Sequence, residues 1–355
     1  MKDYLAQNYP DLVLDNTSIK VISDVKEEYY SLRHGVGVRD ISDSTFLILR
    51  GIDSFDYLNR LTTNQVKNLA VLHKASTLFT NDKGRIIDKA AVIRITDYCF
   101  VIAGRGSSSR LKSWIERYVI NENIAVEDMT GKYAVLELAG PQADSYMNLV
   151  FGDVLESINE ELVIISEINE KKIYIAKFKG YNGSPKYLIF GDAAHGNEIA
   201  SYLFEQKSFF DFNFVGEEAF NIYRVEQGVP IYPQEFKDMF TPLELNVMGA
   251  VDLTKGNFIG LDRITRTETF NKTRREFTGV NIENKFETEL PAKIFDENNE
   301  EAGSLTSMAY SISLSRSIGL AVVNKKIIAE PKQLFVRDNE NKIQPLTLTS
   351  LPFRK

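Results

Sequence analysis

The sequence predicts an α+β fold followed by a separate small β-barrel or sandwich, and two observations lead to that prediction. Strand-like and helix-like segments alternate irregularly over the first 270 residues, without the regular winding of βαβ units. From about Arg274 onward, short alternating strands separated by polar turns replace that pattern. A single core stops growing at roughly 250–300 residues, so we predict two domains, residues 1–270 and 274–355.

The N-terminal elements follow from hydrophobic periodicity and turn residues. The run "FLILRG" predicts a strand, and Asp53–Val66, with apolar residues at positions 55, 58 and 61, predicts an amphipathic helix. Ser76–Thr80 and Arg85–Ile93 predict a hairpin around the turn Asn81–Gly84, where Gly84 can adopt positive φ.

The remaining elements are predicted in the same way. "DYCFVIAG" and "KYAVLELAG" predict strands, the serines of "GRGSSS" (104–109) are interpreted as helix caps, and Pro141 is expected to open a helix. The helix that these serines would cap has an apolar stripe at positions 111, 114, 115, 118 and 119. Lys171–Gly191 predicts two strands around a Gly-rich loop, and Gly216–Pro230 predicts a helix that ends near Gly228. In the C-terminal region we expect turns at Asp296–Asn299 and Asp338–Asn341.

The hairpin carries an unusual residue, Asp88, on its second strand. Aspartate is disfavoured in strands, and an ionised carboxylate is costly to bury without a partner. Ile86, Ile87 and Ala90 flank it, so the position indicates a buried acid. The question is what an acid does there.

Composition excludes several classes of function. The net charge of −7 argues against a non-specific nucleic-acid binder, which carries a basic surface. The single cysteine, Cys99, allows no intramolecular disulfide, and the three histidines lack metal-ligand spacing. No window approaches the roughly 18–20 apolar residues of a membrane span, and the N-terminal residues do not resemble a signal peptide. We expect a soluble cytoplasmic protein without a metal, a nucleic-acid partner or a membrane partner.

The remaining candidates for chemistry are charged residues and aromatics. Asp88, Arg224, Glu226, Glu244, Lys255, Arg263 and Arg266 stand in separate short motifs. Each alone is more simply interpreted as a solvated charge or a surface ion pair, which contributes little to stability. "GRGSSS" and "GYNGS" lack the endings of phosphate-binding loops.

Taken together, the motifs resemble a known family. "GVGVRDIS", "LTTNQV", "LFTNDKGRIID", "ELAGPQA", "GYNGS", "YRVEQGVPIY", "TPLELN", "KGNFIG" and "IGLAVV" occur in the order and spacing of the aminomethyltransferase superfamily. That superfamily includes the glycine-cleavage T-protein and the YgfZ-type folate-binding proteins that support iron–sulfur enzyme maturation. The resemblance runs from about Gly35 to Val323.

The resemblance implies a fold, a ligand and a partner. Residues 1–270 would form two interleaved α+β subdomains in a ring around tetrahydrofolate, and residues 274–355 would form a C-terminal β-barrel. The T-protein takes an aminomethyl group from a lipoylated carrier protein, releases ammonia and leaves a methylene group on tetrahydrofolate.

The resemblance also implies a role for Asp88. In the T-protein an Asp-Asp pair on this strand faces the folate, and Asp88 matches its first acid. A carboxylate there can orient the reacting nitrogen and stabilise positive charge on it. The second position is Lys89, which strand alternation places on the other face.

Other positions match the T-protein unequally. Arg224 matches an arginine that is a candidate for the glutamate tail of folate, and Glu244 is expected near the folate. Tyr187 matches an aromatic residue, but Leu188 stands where the T-protein has a glutamate that holds the pterin ring. Asp43 and Ser44 replace a His-Met pair.

The YgfZ branch matches in one loop. Lys255, Gly256, Phe258 and Gly260 agree with its Lys-Gly-Cys-aromatic-x-Gly motif, but Asn257 replaces the cysteine and Leu261–Asp262 replaces Gln-Glu. Asparagine cannot serve as a thiol nucleophile, so a cysteine-dependent role is lost.

Three hypotheses remain. The first, which the residues favour, is a tetrahydrofolate-dependent aminomethyl or one-carbon transferase with Asp88 as its catalytic residue. Its folate-binding residues would be Asp88, Tyr187, Arg224, Glu244, Lys255 and Phe258. The second is a non-catalytic YgfZ-like folate-binding protein. The third is a diverged member of the same fold that binds another ligand.

Overall fold

The computed structural model describes residues 1–15, 18–155, 158–180, 183–283, 287–330 and 332–353. Helices and strands are mixed through the chain, and the C-terminal strands close into a barrel, so the predicted α+β class with a C-terminal β-barrel is confirmed. Tyr181 and Asn182 of the predicted Gly-rich loop lie outside the described residues. No helix within the described ranges is long and apolar enough to cross a membrane.

The elements are numbered in chain order. The helices are α1 Lys2–Asn8, α2 Val25–His34, α3 Ser54–Leu61, α4 Ser108–Glu116, α5 Ala143–Phe151, α6 Gly196–Glu205, α7 Glu217–Glu226, α8 Leu261–Thr269 and α9 Lys325–Ala329. The strands before the barrel are β1 Val13–Asp15, β2 Ser18–Val21, β3 Val36–Asp40, β4 Ser44–Arg50, β5 Lys74–Thr80, β6 Ile86–Arg94, β7 Tyr98–Arg105, β8 Ala125–Asp128, β9 Tyr133–Ala139, β10 Val163–Ile168, β11 Lys171–Lys179, β12 Pro185–Asp192 and β13 Phe212–Phe214. The barrel strands are β14 Arg275–Ile282, β15 Ala292–Asp296, β16 Glu301–Ser311, β17 Arg316–Asn324, β18 Leu334–Arg337 and β19 Ile343–Thr349.

The chain divides into two compact units. The first unit contains Met1–Asn59, Gln65–Ser76 and Ala90–Phe220, and the second contains Arg60–Asn64, Thr77–Lys89 and Asn221–Lys355. The two boundaries near the hairpin fall inside β5 and β6. The predicted domain bounds, 1–270 and 274–355, stay a prediction.

The first unit is built on a six-stranded sheet in the order β10-β11-β12-β9-β3-β13. Side chains from one face of that sheet pack with helical residues such as Tyr146, Met147 and Leu203. The other face packs against residues of β4, β6 and β7, including Phe46, Ile93 and Phe100. In β9, β11 and β12 the side chains that point to either face of the sheet are buried, which explains why these strands are continuous apolar runs.

The second unit contains the closed barrel, with strand order β14-β17-β16-β15-β18-β19. Its interior is aliphatic, with Ile294, Leu305 and Val323 among its buried residues. Asn299 and Asn341 adopt positive φ in the two tight turns expected at Asp296–Asn299 and Asp338–Asn341, so both turn predictions are confirmed.

Two helix predictions were wrong in their ends. The helix predicted for Asp53–Val66 ends at Leu61, because the Thr63 amide donates to the Leu78 carbonyl at 3.0 Å and the Thr63 carbonyl accepts from the Asp252 amide at 2.8 Å instead of forming helical bonds. The helix α4 ends at Glu116, so of its predicted apolar stripe only the part up to Ile115 is helical.

The predicted serine cap was also wrong in its chemistry. Ser107 precedes α4 but makes no side-chain cap bond. Its hydroxyl instead donates to the Gly104 carbonyl and contacts the Thr45 hydroxyl at 2.8 Å.

Candidate functional site

Asp88 is buried on β6, shortly after the hairpin turn. Its side chain is 1% exposed, and Ile86, Ile87 and Ala90 around it are buried as well. One carboxylate oxygen accepts the Lys89 backbone amide at 2.7 Å. Lys89 is exposed, in agreement with the alternation expected for a strand, so its ammonium does not share the burial of the acid.

The hairpin turn is fixed by its own side chains. The Asn81 side-chain oxygen accepts the backbone amides of Lys83 and Arg85, both at 3.0 Å, and Gly84 adopts φ +69°. Beyond the turn, the Ile86 amide donates to the Phe240 carbonyl at 2.9 Å. These bonds define the position of the strand that carries Asp88.

The loop of the "KGNFIG" motif, Lys255–Gly260, packs against this turn within the second unit. The Thr80 hydroxyl donates to the Ile259 carbonyl at 2.6 Å. Gly260 adopts φ +93°, and a Cβ added there would lie 2.7 Å from the Asn81 carbonyl oxygen. Only glycine fits this close approach. These two contacts bring the predicted loop and the predicted hairpin together.

Lys255 occupies a desolvated position in that loop. Its Nζ lies 5.4 Å from the centroid of the buried Phe258 ring. Burial lowers the pKa of Lys255 to about 8, although the nearby Asp252 carboxylate acts in the opposite direction. An amine with this pKa titrates close to neutral pH, which is a property of lysines at functional positions.

Arg224, predicted to hold a folate carboxylate, is deeply buried at 2% exposure. Its guanidinium donates to the Asn221 side chain at 3.0 Å, the Val229 carbonyl at 3.2 Å and the Ser307 hydroxyl at 2.8 Å. Glu235 lies 3.6 Å away as its ionic partner. These contacts tie α7 to barrel strand β16, while the predicted role in ligand binding stays a prediction.

Glu244 is also engaged within the second unit. One oxygen accepts the amide and hydroxyl of Thr241 at 2.9 and 3.2 Å, and the other lies 2.8 Å from Nε of Arg275. This arrangement explains the "TPLE" motif as a local turn in which the threonine and the glutamate bind each other.

Tyr187 and Leu188 lie on opposite faces of β12 in the first unit. Tyr187 joins the helical side of the sheet, where its hydroxyl donates to Asp144 at 2.5 Å; burial and this carboxylate raise its pKa. Leu188 joins the apolar cluster on the other side. One ligand on one face therefore cannot contact both side chains, whereas the T-protein pattern uses both positions.

Two cavities in the described part of the chain are large enough for a small ligand, and one of them includes Tyr187. One, of about 400 Å³, is in the first unit and is lined by Asp144, Asn148, Gly152, Leu155, Ile158, Lys177 and Tyr187. The other, of about 410 Å³, follows helix α8 and is lined by Leu253, Leu261, Asp262, Thr265, Arg266, Thr269 and Phe270.

Sequence reasoning missed a charged network in the first unit. Arg39 contacts Glu137 at 3.0 Å and Glu217 at 3.3 Å, and Arg105 contacts both Glu217 and Asp43. Asp43, which replaces a family histidine, is thus an ion-pair partner of Arg105. The one signal available was the glutamate inside the apolar run "YAVLELAG", a position where a charge needs partners.

Comparisons with known proteins agree with this architecture. Residues 4–255 match the family described as the GCVT N-terminal domain, and residues 275–355 match the glycine cleavage T-protein C-terminal barrel domain. An aminomethyltransferase of Staphylococcus epidermidis is 26% identical over 326 residues, which are 91% of this chain and 88% of that protein. One of Thermotoga neapolitana is 23% identical over 304 residues, 85% of this chain and 82% of that protein.

A solved structure has the same fold. The glycine cleavage system aminomethyltransferase T from Bartonella henselae aligns with a TM-score of 0.79 at 19% identity, covering 95% of this chain and 91% of that one. The two family matches together extend over most of the sequence. The chain therefore belongs to the glycine-cleavage T-protein family.

Proposed function

We propose that this protein is a tetrahydrofolate-dependent aminomethyltransferase that works with a lipoylated carrier protein in the cytoplasm. The family membership and the aminomethyltransferase relatives support the reaction class. The observation on which the proposal depends is the buried acid Asp88, on the strand where the family resemblance implies a catalytic carboxylate.

Asp88 has the chemical properties that the proposed reaction requires. Transfer of an aminomethyl group develops positive charge on nitrogen, and a fixed carboxylate in a water-poor environment stabilises such charge strongly. Asp88 is held by the strand and by the Lys89 amide, so it does not have to reorganise to do so. The exposed position of Lys89 keeps a competing cation away from the buried side of the strand.

The residues present fit a folate ligand in part. Tetrahydrofolate would supply the nitrogen atoms that accept the one-carbon unit, and the loop with Lys255 and Phe258 offers an amine beside an aromatic ring to bind it. Glu244, Tyr187 and Arg224 are further proposed contacts, although Arg224 already has four partners inside the second unit. Leu188 lies in an apolar cluster and offers no acceptor for the donors of a pterin ring.

The test has two stages. Tetrahydrofolate binding is measured by the change in protein fluorescence, and ammonia release is then measured with a lipoylated carrier protein bearing the aminomethyl group. Asp88→Asn should retain binding within a few-fold and lose turnover by roughly 100-fold or more, the scale of removing one electrostatic group from a reaction centre.

A matched control is Asp82→Asn. Asp82 is an exposed acid in the same hairpin turn, so its loss should leave turnover unchanged. Unchanged turnover in Asp88→Asn would remove that residue from the chemistry. Folate binding by the wild-type protein without ammonia release would overturn the enzyme proposal and support the YgfZ-like alternative.

A further inference from the structure

The cavity of about 400 Å³ in the first unit is lined by both polar and apolar residues. Asp144 and Asn148 lie four residues apart on α5, so both side chains lie on one face of that helix. Lys177 of β11 and Tyr187 of β12 are paired across the two strands and line the cavity from the sheet. The residues that line the cavity belong to the first unit, whereas Asp88 belongs to the second.

Asp144 is the centre of a hydrogen-bonded group in this cavity. Its two carboxylate oxygens lie 2.9 and 3.0 Å from Nζ of Lys177, and one of them also accepts the Tyr187 hydroxyl at 2.5 Å. Burial and the nearby carboxylate raise the pKa of Tyr187, so its hydroxyl stays protonated and remains a donor. The carboxylate and the ammonium are therefore held next to each other, and their charges cancel.

These groups keep hydrogen-bonding capacity for a ligand. A carboxylate has about four lone-pair directions and an ammonium has three N–H groups, so the contacts of Asp144 with Lys177 and Tyr187 leave an acceptor and a donor. The Asn148 side chain is exposed and adds an amide, which both donates and accepts. The side chain of Asp144 is 46% exposed, so a ligand in the cavity can reach the ion pair.

A neutral polyhydroxyl ligand fits this set of groups best. A charged ligand would have to separate the ion pair between Asp144 and Lys177 and leave one of its members without a partner, which is costly. A hydroxyl group both donates and accepts, so two neighbouring hydroxyls can bridge the carboxylate and the ammonium without separating them. Leu155 and Ile158 add apolar surface for the C–H groups of such a ligand. The cavity volume lies within the roughly 300–1,000 Å³ of small-molecule sites.

We propose that this cavity binds a neutral ligand with vicinal hydroxyl groups, either a free monosaccharide or the ribose of a nucleoside, through Asp144, Lys177 and Asn148. Tyr187 is then a positioning residue that holds the Asp144 carboxylate through its hydroxyl. The inference does not depend on the proposed function. Because Tyr187 is also a proposed folate contact, both ligands are measured on the same variants.

The test uses D-ribose, D-glucose and uridine as neutral probes, and L-serine as a zwitterion of similar polarity. Binding to the wild-type protein is measured by titration with saturation-transfer NMR, which detects weak ligands. We expect at least one neutral probe to bind with a Kd of about 1–10 mM, and L-serine to bind at least about tenfold more weakly than that probe. Binding of either free sugar assigns the site to monosaccharides, and binding of uridine alone assigns it to nucleosides.

Two variants locate the bound probe in the cavity. Asn148 is exposed, so Asn148→Ala should keep the fold and weaken probe binding by about three- to tenfold, the effect of one neutral hydrogen bond. Asp144→Asn should weaken it by about tenfold or more, because a hydrogen bond to a charged group is stronger. The matched control is Ser145→Ala, since Ser145 is exposed on the same helix and does not line the cavity. All three variants should keep the tetrahydrofolate affinity of the wild-type protein.

The outcomes separate the inference from the proposed function. Absence of binding by all three neutral probes, or tighter binding of L-serine, overturns the inference, and so does wild-type probe affinity in both Asp144→Asn and Asn148→Ala. A loss of tetrahydrofolate affinity in Asp144→Asn would also overturn it, because the cavity would then belong to the folate. Folate binding by a wild-type protein that binds no probe leaves the proposed function intact. If Asp144→Asn does not fold, Asn148→Ala decides.

Discussion

The network around Arg224 gives a prediction whose size follows from the contacts. Arg224→Met removes a guanidinium that is 2% exposed and leaves Glu235, which is 0% exposed, without its cation. Glu235 keeps hydrogen bonds from the hydroxyls of Thr306 at 2.7 Å and Ser307 at 2.6 Å and from the Ile231 amide at 3.0 Å. These bonds fix the carboxylate in place, so it cannot turn to water when the arginine is lost.

The expected cost is large because the charge stays buried. Removing one partner of a buried ion pair costs about 3–5 kcal/mol of unfolding free energy. Arg224→Met combined with Glu235→Gln removes both charges and keeps a side-chain oxygen for Thr306 and Ser307. The double variant should therefore recover about 2 kcal/mol relative to the sum of the single variants, a coupling typical of residues in one network.

Urea denaturation of the four proteins measures this coupling, and a folate titration of the double variant separates the two roles of Arg224. If the arginine is structural, the double variant binds tetrahydrofolate within about threefold of wild type. A cost below roughly 1 kcal/mol for Arg224→Met, or purely additive single effects, would refute the buried-pair reasoning. A tenfold or greater loss of folate affinity in a stable double variant would instead assign Arg224 to the ligand.

Three further predictions test other parts of the structure. Burial lowers the pKa of Lys255 from 10.5 to about 8, so between these values the folded protein binds fewer protons than the unfolded chain, and stability should rise with pH. Lys255→Met should remove this rise in urea midpoints measured from pH 7 to 10.5. An unchanged slope in the variant would contradict the prediction. The pKa of Glu137 is lowered from 4.5 to about 2, so its ion pairs stabilise the fold above pH 4.5 and this stabilisation is lost as the pH falls toward 2. The stability of Glu137→Gln should therefore fall less steeply in acid than that of the wild-type protein. Equal slopes of stability against pH for the two proteins would argue against the pairs with Arg39 and Lys186. Gly260→Ala should destabilise the protein by more than about 1 kcal/mol, because the φ of Gly260 is +93° and the Asn81 oxygen leaves no room for a Cβ. The control Gly249→Ala, which has open space around the new Cβ, should not. Equal urea midpoints for the two variants would show that the close contact at Gly260 is absent.

The sequence predicted elements whose causes are local. The turn at Asn81–Gly84 forms because Asn81 binds its own backbone neighbours and Gly84 adopts positive φ, and both signals stand within four residues. The barrel turns at Asn299 and Asn341 were equally visible. The end of the helix at Leu61 was not, because the backbone bonds that replace the next turn join Thr63 to Leu78 and to Asp252, which is far along the chain.

The residues of the candidate site also divide into those whose structure has a local cause and those whose partners lie far along the chain. That Asp88 and Lys89 lie on opposite faces of β6 follows from strand alternation and could be predicted, whereas the burial of Ile87 on the face of Lys89 could not. The partners of Arg224 could not, since Ser307 lies 83 residues away and nothing in "YRVEQG" indicates it. The glutamate inside "YAVLELAG" indicated that Glu137 needs partners, but their identity, Arg39 and Lys186, could not be predicted because they approach it only after the sheet has formed.

Ammonia release from an aminomethyl-loaded lipoylated carrier, measured with and without tetrahydrofolate, tests the central claim most directly. We expect folate-dependent release by the wild-type protein and by Asp82→Asn, and a loss of roughly 100-fold or more in Asp88→Asn with folate affinity kept. Equal release rates for Asp88→Asn and the wild-type protein would contradict the account.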